Sequence, residues 1–125
     1  MIHLSDKAFD EAVAQALDRI PSDFHKFLEA VAVVIEEEPS LEVLQDLGVP
    51  DGDTILGCYF GVPMGEKSLF DVAFEPDRIV IYKSPLEELC ETEEELIEEI
   101  EITVVHEISH HFGIDEGTLA CHGYE

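Results

Sequence analysis

Apolar residues recur every three or four positions near the start of the chain, where Phe9, Val13, Ala16, Leu17 and Ile20 make one stripe. That spacing predicts a helix capped by Ser5, running to about residue 19 and stopped by Pro21. Ser22 and Asp23 open a shorter helix over residues 24–29, with Phe24, Phe27 and Leu28 inward. The period then changes. Residues 30–36, AVAVVIE, form a continuous apolar run rich in β-branched side chains, as expected of a central strand buried on both faces. Residues 55–60 and 78–82 (RIVIY) predict a second and a third strand, and residues 69–74 a short, weaker one.

Punctuation between these runs sets the remaining elements. Ser40 caps a short helix over residues 41–47, closed by Gly48, and residues 49–53 (VPDGD) make a turn. Residues 61–77 are long and mixed, interrupted by Gly61, Pro63, Gly65 and Pro76. Ser84-Pro85 starts a helix of one or two turns with proline at its favoured first position. Repeats and low-complexity linkers are absent from the sequence, and at 125 residues the chain reads as a single domain, residues 1–125.

Residues 92–116, TEEELIEEIEITVVHEISHHFGIDE, organise the rest. Thr92 with Glu95 is a capping box, and glutamates fill the first turn, where the helix dipole favours them. Ile97, Ile100, Val104, Ile108 and Phe112 recur at helical spacing and face a core. Within this helix lies His106-Glu107-Ile108-Ser109-His110, an H-E-x-x-H pattern. Residues four apart share a helix face, so His106 and His110 can offer two imidazoles to one ion. Glu107 stands beside them as base for a metal-bound water. Gly113 predicts a left-handed cap, and a sharp stop there can turn Glu116 back toward the histidines. The bland alternative is a surface helix whose histidines pair with its many glutamates.

The segment H-E-x-x-H-H-F-G-I-D-E resembles the active-site signature of the minimal zincin family, bacterial zinc metallopeptidases. The likeness extends to AVVIE at residues 32–36, PDGDTILG at 50–57, GVP at 61–63, PDRI at 76–79, and Tyr82. The resemblance implies an α+β zincin-like fold, a small mixed sheet packed by helices, with H-E-x-x-H on a long C-terminal helix. It implies Zn²⁺ as cofactor, His106, His110 and Glu116 as metal ligands, and Glu107 as the catalytic base of peptide-bond hydrolysis. Asp115 is the fallback third ligand. His111, about 100° around the helix from His110, faces the core or braces a ligand. Tyr124 and Tyr82 are default candidates for an additional hydrogen-bond donor. The Met-turn of metzincins has no counterpart after the motif, because Met64 lies upstream. Few residues follow Glu116, so substrate is expected in a shallow groove, along an edge strand.

Charge narrows the partners. The formal net charge is −24, with only six Lys or Arg available to neutralise phosphates. Nucleic acid and acidic membrane surfaces are therefore poor partners, and the resemblance implies a peptide or protein substrate. The acid surface can attract basic peptides, but its simpler role is to keep a self-repelling chain soluble. A basic start followed by an apolar core is missing at the N-terminus, and no apolar run reaches the roughly 18 residues of a membrane span. Cys58, Cys90 and Cys121 are odd in number and widely spaced, as expected of free thiols in a reducing cytoplasm. Cys58 and Cys90 read as small core residues, while Cys121-His122 is a minor candidate for metal ligation. His25 reads as a solvent-facing or capping residue rather than a ligand, and His3, near the terminus, reads the same way. The function expected is a zinc-dependent metallopeptidase; the alternative is a non-catalytic metal-binding or protein-interaction domain on the same scaffold.

Overall fold

The computed structural model describes residues 1–61 and 77–124. Among these residues, six helices and a three-stranded sheet follow in the order α1 (Asp6–Arg19), a 3-10 turn (Ser22–Phe24), α2 (His25–Leu28), β1 (Ala32–Glu36), α3 (Leu41–Asp46), β2 (Gly57–Phe60), β3 (Arg78–Tyr82), α4 (Lys83–Leu89), α5 (Glu93–Phe112) and α6 (Glu116–Cys121). The fold is α+β and zincin-like, with the H-E-x-x-H segment in the long helix α5.

Local signals place the helix ends as read from the sequence. Ser5, Ser40 and Thr92 are N-caps whose hydroxyls accept from Ala8 N, Val43 N and Glu95 N. Gly113 ends α5 at φ 68°, a left-handed conformation that costs glycine nothing and a Cβ-bearing residue about 1 kcal/mol or more. α4 starts at Lys83, so Pro85 is its third residue rather than its first. Here Tyr82 runs straight from strand into helix without a capping side chain.

The sheet order is β1-β3-β2, with β1 parallel and β2 antiparallel to β3. This corrects the expectation for residues 30–36: among the described strands β1 lies at an edge, with both ends exposed and its middle half-buried. The central strand is β3, where Ile79, Val80, Ile81 and Tyr82 are buried. An apolar run reports burial without saying which neighbour supplies it, and here Val33 and Ile35 of β1 pack partly buried against the main core. The weak strand expected at residues 69–74 lies outside the described residues, as does Met64.

The main core joins the stripe of α1 (Phe9, Ala12, Val13, Ala16) to Leu96, Ile97, Ile100, Val104, Val105 and Ile108 of α5 and to Ile79 and Ile81 of the sheet. Each fully buried aliphatic side chain contributes about 1.5–3 kcal/mol, against a few tenths for an exposed helix pair. Core burial therefore fixes which way α5 faces, and the exposed Arg19–Glu94 ion pair beside it adds little. Cys58 and Cys90 are buried and Cys121 exposed, all three as free thiols. Among the described residues no helix is long and apolar enough to cross a membrane.

Candidate metal centre

The face of α5 that turns from the core decides where its chemistry sits. Val105, Ile108 and Ser109 are buried, whereas His106 is half-buried and His110 exposed. His106 and His110 line one cavity of about 560 Å³, and Glu116 at the start of α6 lines it too. The left-handed Gly113 produces this return, since the chain reverses there and α6 begins three residues later. The fallback ligand is otherwise engaged: Asp115 caps α6, its Oδ1 accepting from Thr118 N at 2.7 Å. That bond holds its carboxyl below the usual range. Two imidazoles and a carboxylate are a donor set that suits zinc. Among the described residues, no three His, Cys, Asp or Glu side chains converge closely enough to hold an ion.

Glu107, next to His106, carries its carboxylate close enough to His110 for their charges to interact. It does not line that cavity but turns toward β2, and strand and helix approach closely along residues 103, 107 and 111. A Cβ on Gly57 would lie 2.8 Å from Thr103 Cγ2, so only glycine permits this contact. One helical turn on, the Tyr59 backbone hydrogen-bonds the Glu107 carboxylate. A further turn on, the Tyr59 ring stacks on His111 with centroids 3.8 Å apart. Burial pushes the Glu107 carboxyl above its ordinary value, with His110 and the Tyr59 backbone acting in the opposite sense. Burial, and then the same carboxylate, raise the neighbouring Cys58 thiol.

His111 therefore braces rather than faces the core. Its Nε2 lies 3.7 Å from Asp77 Oδ2, which also accepts from the Tyr59 hydroxyl at 3.0 Å. The sequence reading of this region missed Tyr59 and Asp77. The only signal for Tyr59 was an aromatic in a strand, and nothing local tied Asp77 to His111. Tyr124 lines the cavity, its hydroxyl donating to Glu101 Oε2 at 2.5 Å. Tyr82 is buried in the small cluster with Cys58 and Val80 on the other sheet face, which makes it a packing tyrosine. His122 lies 3.3 Å from Asp23 and edge-on to Phe24, holding the end of α6 to the 3-10 turn. His25 Nε2 bonds the Ile20 carbonyl at the end of α1, the capping role expected of it.

A zincin-like metallopeptidase family model matches residues 28–124, which include both histidines, Glu107, Glu116 and β2. The chain belongs to that family. Family membership brings a metallopeptidase scaffold, and zinc binding as a general property of the group. Among solved structures, a conserved hypothetical protein from Thermo thermophilus is similar, with a TM-score of 0.57 and 25% identity, over 94% of this chain and 99% of that one. No curated protein matches.

Proposed function

We propose that this chain is a zinc-dependent peptide hydrolase in which Glu107 is the general base. The observation that carries the reading is the pairing of a two-histidine, one-carboxylate cavity with a half-buried, proton-avid glutamate on the same helix. His106, His110 and Glu116 would hold the metal. When bound, zinc supplies Lewis-acid chemistry at this cavity. Glu107 takes the proton of the attacking water at its carboxylate and delivers it to the departing amine nitrogen. Among the described strands β2 lies at an edge, so an extended peptide can add alongside it by backbone hydrogen bonds, next to Glu107.

The alternative, a non-catalytic metal-binding or interaction domain, draws on the lack of a converged donor triad among the described residues. Two experiments separate the readings. Zinc-supplemented protein should hold about one zinc per chain, and the His106→Ala, His110→Ala double variant should hold none. Zinc content equal in the two proteins would remove these histidines from the site. Glu107→Gln should retain zinc yet lose peptide cleavage by at least about a hundredfold, the lower range for a positioned acid–base group. Undiminished cleavage in that variant would refute Glu107 as base, and zinc uptake without any cleavage by the wild type would favour the non-catalytic domain.

A further inference from the structure

Strand β2 reaches Glu107 through Tyr59, and the backbone, ring and hydroxyl of that residue are each held. Tyr82 N donates to the Leu56 carbonyl across the antiparallel β2–β3 pair. Alternation along such a pair turns the backbone of Cys58 toward β3 and that of Tyr59 away from it, to the outer edge. A carboxylate only accepts, so the bond between Glu107 and the Tyr59 backbone is donated by that outward amide. The Tyr59 ring lies flat on His111, with planes 11° apart, and Phe112 stands edge-on to it. Its hydroxyl donates to Asp77 Oδ2 at 3.0 Å. Asp77 is itself anchored, because its backbone carbonyl accepts from Ala32 N at 3.0 Å where the β1–β3 ladder begins. A Cβ on Gly61 would lie 2.5 Å from Asp77 Oδ1, so the Asp77 carboxylate fills the room that Gly61 leaves.

We propose that Asp77 is a positioning residue for Glu107: by holding the Tyr59 hydroxyl it keeps the Tyr59 amide on the Glu107 carboxylate. The inference rests on the hydrolase reading above and adds to it a residue that acts through another. With one carboxylate oxygen held by the amide, the group cannot rotate, and the other oxygen keeps a fixed aim for the proton it takes. His111 Nε2, 3.7 Å from the same Asp77 oxygen, ties this clamp to α5 one residue after His110. Small displacements matter at such a group, since about 1 Å of misplacement can cost roughly a hundredfold in rate.

Two measurements test this. In zinc-free protein, NMR follows hydrogen exchange of the residue-59 amide beside those of Ile100 and Val104 in the core of α5. Asp77→Ala should speed exchange at residue 59 by at least about tenfold and leave the α5 amides unchanged, because only a local opening becomes easier. Tyr59→Phe, which keeps a ring on His111, should act in the same direction. Asp77→Asn, whose amide oxygen still accepts the hydroxyl proton, should restore protection. In zinc-supplemented protein, Asp77→Ala should lower kcat for peptide cleavage at least about tenfold, with KM and zinc content unchanged. Asp77→Asn should recover most of that loss. An unmoved residue-59 amide, or equal acceleration at all three amides in both Asp77→Ala and Tyr59→Phe, overturns the positioning role and leaves the hydrolase. Selective exposure of residue 59 with unchanged kcat does the same. Selective exposure in a chain whose wild type cleaves nothing supports the hold on Glu107 and overturns the hydrolase.

Discussion

Withdrawing a carboxylate from water is costly, and the half-buried Glu107 carries that cost in α5. Its raised pKa means that folding holds the charged form less comfortably than the unfolded chain does. The penalty is present at neutral pH, above the folded-state pKa, and is relieved as pH falls through it. In chelator-treated protein, Glu107→Gln should therefore be more stable than wild type at pH 7. The gap should narrow on acidification into the carboxylate range. Melting curves across pH check this, and a variant less stable than wild type at pH 7 would contradict it. Such a trade of stability for function is expected of an active-site group and not of a solvated glutamate.

Between elements, the decisive contact is that of β2 with α5. Gly57 lets the strand lie against Thr103, and that approach sets the Tyr59 backbone at Glu107. Gly57→Ala would put a Cβ 2.8 Å from Thr103 Cγ2 and 3.0 Å from the Val80 carbonyl oxygen. We expect a loss of about 1–3 kcal/mol, the usual cost of overpacking, with a fall in any activity that depends on Glu107. Thr103→Ser removes the nearer clash and should restore part of the stability, though not all, because the backbone oxygen remains. Chemical denaturation of the two single variants and the double variant measures the coupling. Full additivity would show that the two residues do not meet.

At the scale of the molecule, thirty Asp and Glu stand against six Lys and Arg. With five acids for every base, most of the negative charge has no cation to pair with. The ion pairs among the described residues differ in weight: Arg19–Glu94 is solvent-exposed, while Lys83–Glu87 is buried at 3.1 Å. Self-repulsion of the remainder should be screened as the Debye length falls from about 10 Å at 0.1 M salt to about 3 Å at 1 M. Raising sodium chloride over that range should raise the melting temperature by several degrees. A melting temperature that fell with salt would mean that local pairs outweigh the global repulsion.

Much of this architecture was legible in local signals. Ser5, Ser40 and Thr92 cap helices because a short oxygen-bearing side chain satisfies an amide two or three residues ahead, whatever the rest of the chain does. Gly113 and the four-residue spacing of His106 and His110 are likewise properties of neighbours along the chain. Neighbours in space were not legible. The run at residues 30–36 read as a central strand, whereas among the described strands β1 lies at an edge, because helices and strands bury apolar side chains equally well. Asp77, Tyr59 and His111 come together from β2, α5 and the approach to β3, so no spacing could pair them. The resemblance already ranked Glu116 above Asp115, and Asp115 is engaged as the N-cap of α6. The sequence alone determined the caps of α1, α3 and α5 and roughly where the three described strands lie, since these depend on contacts within a few residues. Only the tertiary structure decided the strand order, the burial that raises Glu107 and the cavity that His106, His110 and Glu116 share, because each arises from groups that meet only when distant segments pack.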